Sequence, residues 1–285
     1  MRRRLFCQIS PLCYEISVWK GCVMRVLRDW LNRERFCKGK SNEALPVVIY
    51  RHRSLILRRL GNVDMRLQEN KAVNLSLAAP HIDGALIRPG ETFSLWRLVG
   101  RTTAKKGYRE GLMLKQGAPS SGIGGGLCQL SNLIHWLVLH SPLEIIERHH
   151  HDGFDLFPDF GRQVPFGVGT SISYNYLDYR FRNTTDQTFQ LLVRVEGEHL
   201  CGALRAERPL DVKYHIQSRD EHFTQEGDVW YREGEVWRTC IDKATGRQIS
   251  EEPLQRNHAR VMYELPPHAG SISAKCPDFQ FHAKR

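Results

Sequence analysis

The chain has 285 residues, with 41 Lys and Arg against 31 Asp and Glu, for a formal charge of +10. Residues 1–40 hold ten basic against three acidic side chains, so +7 of that charge sits at the N-terminus and the rest of the chain is nearly neutral. A nucleic-acid-binding body would carry basic patches on its folded surface, so the charge argues against one; no apolar stretch approaches the length that crosses a bilayer.

Between residues 14 and 36, apolar side chains recur at Ile16, Trp19, Val23, Val26, Leu27, Trp30 and Leu31. This spacing predicts a helix with one apolar stripe, interrupted by Gly21, with Lys20, Arg25 and Arg28 on or near the other side. Such a helix suits an anionic membrane surface, or else packs on the domain with solvated arginines. Residues 70–77 read as helical, followed by Pro80 and a turn at Asp83-Gly84. Residues 85–88 form a short strand, 108–116 another, 119–126 a glycine loop, and 127–140 a buried helix ended by Ser141-Pro142. The β-branched run from Leu143 predicts a strand over 143–151.

Residues 171–182 alternate as a strand and 183–187 turn; strands follow at 189–195 and 200–205, for three antiparallel neighbours. Beyond Pro209, short strand pieces at 212–216, 229–232 and 236–242 are separated by turns at Gly227-Asp228 and Glu233-Gly234-Glu235, with a hairpin signal at Thr245-Gly246. The fold class expected is α+β: a central helix with Cys128 at its N-terminus, packed on a mostly antiparallel sheet, with a small C-terminal β extension. The segments are a basic amphipathic stretch (1–40), the domain core (45–208), the β extension (209–265) and a disordered tail (266–285).

Residues 122–132 read Gly-Ile-Gly-Gly-Gly-Leu-Cys-Gln-Leu-Ser-Asn. Cys128 follows a flexible loop at the start of a helix, where unpaired amides and the dipole favour a thiolate. A thiolate beside free N–H groups is equipment for acyl transfer; the alternative is a buried structural cysteine. Downstream, 147–151 reads Glu-Arg-His-His-His. In a strand, His149 and His151 share a face, so either could serve Cys128 as base. A solvated strand end and a zinc site of two histidines and the thiolate are the other options, though no CxxC supports a metal. Asp178 is a candidate to orient a histidine, or else an edge charge or turn partner. The eight cysteines include four before residue 38. No secretory signal is recognisable, so reduced thiols are expected.

Four stretches, in order, make the chain resemble the VanW family: 68–71 with Asn74 leading into Arg88-Pro89-Gly90-Glu91-Thr92-Phe93-Ser94; Gly124-Gly125-Gly126-Leu127-Cys128-Gln129-Leu130-Ser131; Glu147-Arg148-His149-His150-His151; and Leu177-Asp178 through Asn183, with Thr185 and Asp186. The resemblance covers roughly 45–265 and implies L,D-transpeptidase-type chemistry in peptidoglycan cross-linking, with Cys128 as nucleophile. It departs at Gly169, where the family often carries an aspartate. From these residues we expect Cys128, His149, His151, Gln129 and Asp178 to act in catalysis, Gly124, Gly125, Gly126, Ser131 and Arg148 to contact substrate, and no cofactor. Gln129 and glycine-loop amides would hold the oxyanion. The alternative is an accessory protein that binds a wall peptide without chemistry. The expected partners are peptidoglycan or its precursors and an anionic membrane through residues 14–36, with no nucleic acid. The sequence points to a cytoplasmic or membrane-peripheral protein, in tension with cross-linking outside the membrane, because no export signal is evident.

Overall fold

A computed structural model describes residues 6–58, 64–115, 118–150, 153–156, 158 and 163–265. Two compact units emerge: Met1–His151 with Gly169–Asp211, and Asp152–Val168 with Val212–Arg285. The chain is α+β, as the sequence predicts, with helices and mostly antiparallel sheets.

In the first unit α1 spans Pro11–Leu31, started by the Ser10 hydroxyl, which accepts from the Cys13 amide at 3.2 Å. Then come β1 (Val47–Leu55), α2 (Met65–Ala78), β2 (Ala85–Ile87), β3 (Thr92–Ser94), α3 (Leu95–Val99), β4 (Glu110–Lys115), β5 (Ala118–Ile123), α4 (Cys128–Leu139) and β6 (Glu144–Glu147). After β7 (Phe154–Asp155), which belongs to the other unit, β8 (Arg180–Arg182), β9 (Phe189–Glu196) and β10 (His199–Ala206) complete it. The main sheet runs β1-β10-β9-β2, a second runs β3-β8-β6, and β4 pairs with β5.

The main sheet is legible in its burial. Along β10, Leu200, Gly202, Leu204 and Ala206 alternate inward, and on β9 Phe189, Leu191 and Val193 do the same. The apolar face of α4 covers this layer with Leu130, Leu133, Ile134 and Leu137. Each such side chain contributes about 1.5–3 kcal/mol through burial. α4 is therefore held along its length, which fixes Cys128 at its first turn.

Four local expectations change. The 171–182 run is a strand only over Arg180–Arg182; before it, Ser173 and Leu177 bridge across a turn in which Asn175 takes φ 50. The 143–151 strand stops at Glu147, so two-residue alternation does not govern the histidines. Half of the presumed glycine loop is strand β5, leaving the turn from Gly124 onward. In the second unit Glu233-Gly234-Glu235 is no turn. It lies inside β12 (Val229–Asp242), between β11 (Val212–Glu226) and β13 (Gln248–Val261), and faces a register shift between Arg219 and His222. β7 adds to β13 in parallel, so part of residues 152–168 joins this unit, a long-range pairing with no local signal. The segment from residue 266 lies outside the described residues.

Candidate functional site

Cys128 is the first residue of α4, and no side chain caps that end. The helix satisfies its first amides itself. Gln129 N–H donates to the Gly126 carbonyl at 3.1 Å, and the amides of Leu130 and Ser131 donate to the Leu127 carbonyl. Gly124 and Gly125 amides donate to the Arg109 and Gly122 carbonyls. Of the expected oxyanion donors, the Gln129, Gly124 and Gly125 amides are thus engaged within the chain. The amides that reach the sulfur are those of Ile172 and of Cys128 itself. Cys128 is half-buried, and burial pushes its thiol up; the two amides only offset this. A depressed thiol was expected from the helix start; here desolvation outweighs the dipole.

The glycines serve the fold at this turn. A Cβ on Gly125 would stand 2.1 Å from the Gly111 carbonyl oxygen on β4, so the two backbones meet face to face. Gly126 has φ +89, and a Cβ there would collide with the stem of Lys71 on α2. Lys71 is buried, and desolvation, with the Arg58 charge, lowers its ammonium to about 8. Asn74 on α2 closes the same corner, donating to the Gly125 and Arg109 carbonyls at 2.8 and 3.0 Å. The Gln129 side chain reaches away to β1, donating to Ser54 Oγ at 2.6 Å and the Leu55 carbonyl at 3.0 Å.

Along one face of α4 stand Cys128, Ser131, Asn132 and His135, at helical spacing. The segment 169–172 runs beside them. Thr170 donates through its amide and its hydroxyl to Asn132 Oδ1, at 2.7 and 2.9 Å, and its hydroxyl meets Ser131 Oγ at 2.6 Å. Ser131 also donates to the Cys128 carbonyl at 3.0 Å. Arg148 binds the Gly169 carbonyl at 3.1 Å, so it fastens this segment. The His150 ring faces the same place: a Cβ on Gly169 would lie 3.8 Å from His150 Nε2 and 3.9 Å from Asn132 Oδ1. Ser171 Oγ is buried without a hydrogen-bond partner among the described residues, a group that a bound polar ligand could satisfy. His135 is buried against the Tyr179 hydroxyl at 3.1 Å, and desolvation, with the Arg148 and His150 charges, holds it neutral.

A second cluster lies behind. Glu147 accepts from both Arg25 nitrogens, from the Asp178 amide at 2.9 Å and from His149 Nε2 at 2.9 Å. Burial pushes its carboxyl up, but these donors outweigh it and leave Glu147 below the ordinary carboxylate range. Asp178 is fully buried and accepts from Ser94 Oγ, the amides of Trp96 and Tyr179, and Arg180 Nε at 2.8 Å. Arg180 also grips Asp29 of α1 at 2.7 and 3.1 Å. The carboxylate on a histidine is therefore that of Glu147, on His149, while Asp178 ties β8 to α3. Among the three neighbouring histidines the structure puts His150 on the Asn132 side; His151 lies outside the described residues. Asn132 and His150 escaped the sequence argument. The signal for Asn132 was its place four residues, one helical turn, after Cys128.

Among the described residues, a group able to gather a metal is Glu226, Glu233 and His258 in the β-rich unit. Comparison with known proteins came next. A family model described as "VanW like protein" matches residues 70–205. The chain is 35% identical over 224 residues to the "Vancomycin B-type resistance protein VanW" of Enterococcus faecalis, covering 79% of this chain and 81% of that protein. It is 33% identical over 131 residues to an uncharacterized protein, YoaR, of Bacillus subtilis, covering 45% of this chain and 40% of that one. No solved structure matches. An alignment at this identity across four-fifths of both chains, with the glycine–cysteine turn and α4 inside the matched segment, means that the chain belongs to the VanW family.

Proposed function

We propose that this protein carries out cysteine-dependent acyl transfer on peptidoglycan stem peptides, in the glycopeptide-resistance setting that the name of its Enterococcus relative denotes. The observation that carries this reading is Cys128 at the first turn of α4, with the Ile172 amide reaching its sulfur, on a helix face whose Asn132 borders Gly169 together with the His150 ring. The thiol must lose its proton to react, because the thiolate is the nucleophile. His150 is the imidazole for that step, with Asn132 beside it. The thiolate attacks an amide carbonyl of the stem, a C–S bond forms, the C–N bond breaks, and the departing amine takes the proton. An amine of a second stem then displaces the sulfur; water as acceptor would make the same site a hydrolase.

A second reading, an accessory protein that holds a wall peptide without chemistry, is favoured by the same raised thiol and by the engaged glycine-loop amides. Intact-mass analysis of the full chain with stem-peptide donors separates the two. The catalytic reading expects a thioester on Cys128 that Cys128→Ser and His150→Ala lose. No adduct with any donor, together with unchanged peptide binding by Cys128→Ser, would leave the accessory role.

A further inference from the structure

Helix α1 is amphipathic in the opposite sense to a helix that covers a core. Its side toward the domain is small and polar. Gly21 lies on the Tyr176 ring, where a Cβ would stand 2.8 Å away. Arg25 donates to the carbonyls of Asn175 and Tyr176 at 3.0 and 2.7 Å and clamps Glu147. Asp29 is buried against Arg180. The apolar stripe points the other way: Leu12, Ile16, Trp19, Val26, Leu27 and Trp30 are all exposed, the two indoles at 69% and 74%. A contiguous apolar ridge of this kind marks an interaction surface.

Charge decides what covers it. Lys20 and Arg28, on the flanks of the helix, and Arg33, just past its end, are exposed as well. Of the three acidic residues before position 41, Asp29 and Glu34 are consumed by Arg180 and Arg182, leaving Glu15. The outward face is therefore apolar, rich in tryptophan and cationic. A second copy would press like charges together, at a cost. Lipid with anionic headgroups meets both features, since indoles lodge at the headgroup level and lysines and arginines are drawn to negative lipid. No described helix is long and apolar enough to cross a membrane, so the helix, about 30 Å long, would lie along the surface.

We infer that α1 is a membrane-docking element: it seats the protein on an anionic bilayer surface by its exposed ridge while its polar side stays clamped to Glu147 and Arg180. This does not depend on the proposed chemistry. Deleting the segment would uncover buried charges, so the test uses the outward face alone. The full chain and a Trp19→Glu/Trp30→Glu variant are floated with phosphatidylcholine vesicles, with and without about one-third phosphatidylglycerol, at physiological salt. The full chain is expected to float with the anionic vesicles and to be released by high salt. The variant should partition at least roughly tenfold more weakly at an unchanged melting temperature. Equal recovery of both proteins in the soluble fraction would overturn the inference. So would sedimentation of the parent as a dimer that the variant dissociates, which would assign the ridge to a second copy.

Discussion

Asp29→Asn tests whether α1 is built into the domain or merely rests on it. The substitution keeps the shape and removes one charge from a pair in which both side chains are less than 10% exposed. Losing one partner of a buried ion pair costs about 3–5 kcal/mol. Arg180 keeps Asp178 at 2.8 Å and Glu147 at 3.5 Å, so its charge stays partly compensated and the loss should fall to about 2–3 kcal/mol. The Arg97–Asp29 contact is 43% exposed on the arginine side and adds little. For a unit of this size, that corresponds to a fall of roughly 5–10 °C in the thermal midpoint. Melts by far-UV circular dichroism at pH 7 would read it, with Arg180→Met and the double variant completing a cycle. The double variant should be less destabilised than the sum, with a coupling of about 1 kcal/mol or more. A midpoint within about 1 °C of the parent, or strict additivity, would show that α1 is not held through this pair.

Three further outcomes are expected. Lys71→Met should raise stability at pH 7 by about 1–3 kcal/mol. The folded lysine titrates at about 8 and the unfolded one near 10.4, so the penalty is complete below 8 and fades as pH rises through that window; urea titrations from pH 7 to 10 should lose this slope, and an unchanged slope would refute the argument. Glu147→Gln should flatten the acid limb of a stability–pH curve: a lowered carboxyl contributes stability above its unfolded value of about 4.3 that disappears as pH falls through the folded value, and an acid limb identical to the parent's would contradict the Arg25 contact. Gly169→Asp meets only ordinary van der Waals neighbours, so it should fold normally and draw the His150 titration upward by placing a carboxylate beside Nε2; an unmoved imidazole proton signal would mean that the ring does not face this position.

What could be read in the sequence was what repeats locally. The stripe from Ile16 to Trp30 announced α1, the apolar run after Leu127 announced α4, and alternation from Phe189 to Arg205 announced β9 and β10. What escaped depends on contacts distant in sequence. Nothing near Gly125 says that Gly111 lies against it, so the glycines looked like a substrate loop. Nothing near Trp30 says that Arg25 and Asp29, not the indoles, face the domain. Asp178 read as a partner for a histidine or an edge charge, because donors such as Ser94 and Trp96 lie more than eighty residues earlier. The faces expected for the histidines rested on a strand through residue 151, whereas β6 ends at Glu147, where that carboxylate collects Arg25 and the Asp178 amide.

The three long strands of the second unit have a consequence for aggregation. Strands of 14–15 residues reach about 50 Å, and β11 forms an outer edge of the sheet. Long edges invite other chains to pair with them. Here β11 carries Lys213, Arg219, Asp220 and Glu221, with Asp220 at φ 50 in an irregular stretch that breaks the ladder. Among the described residues β13 pairs with β7 at Arg260 and Val261, and upstream it carries Glu251, Glu252 and Pro253. Both open borders thus combine charged side chains with an interruption in the ladder. Charged and irregular borders of this kind discourage strands of other chains from pairing, which lets a sheet with so little buried apolar surface be this long.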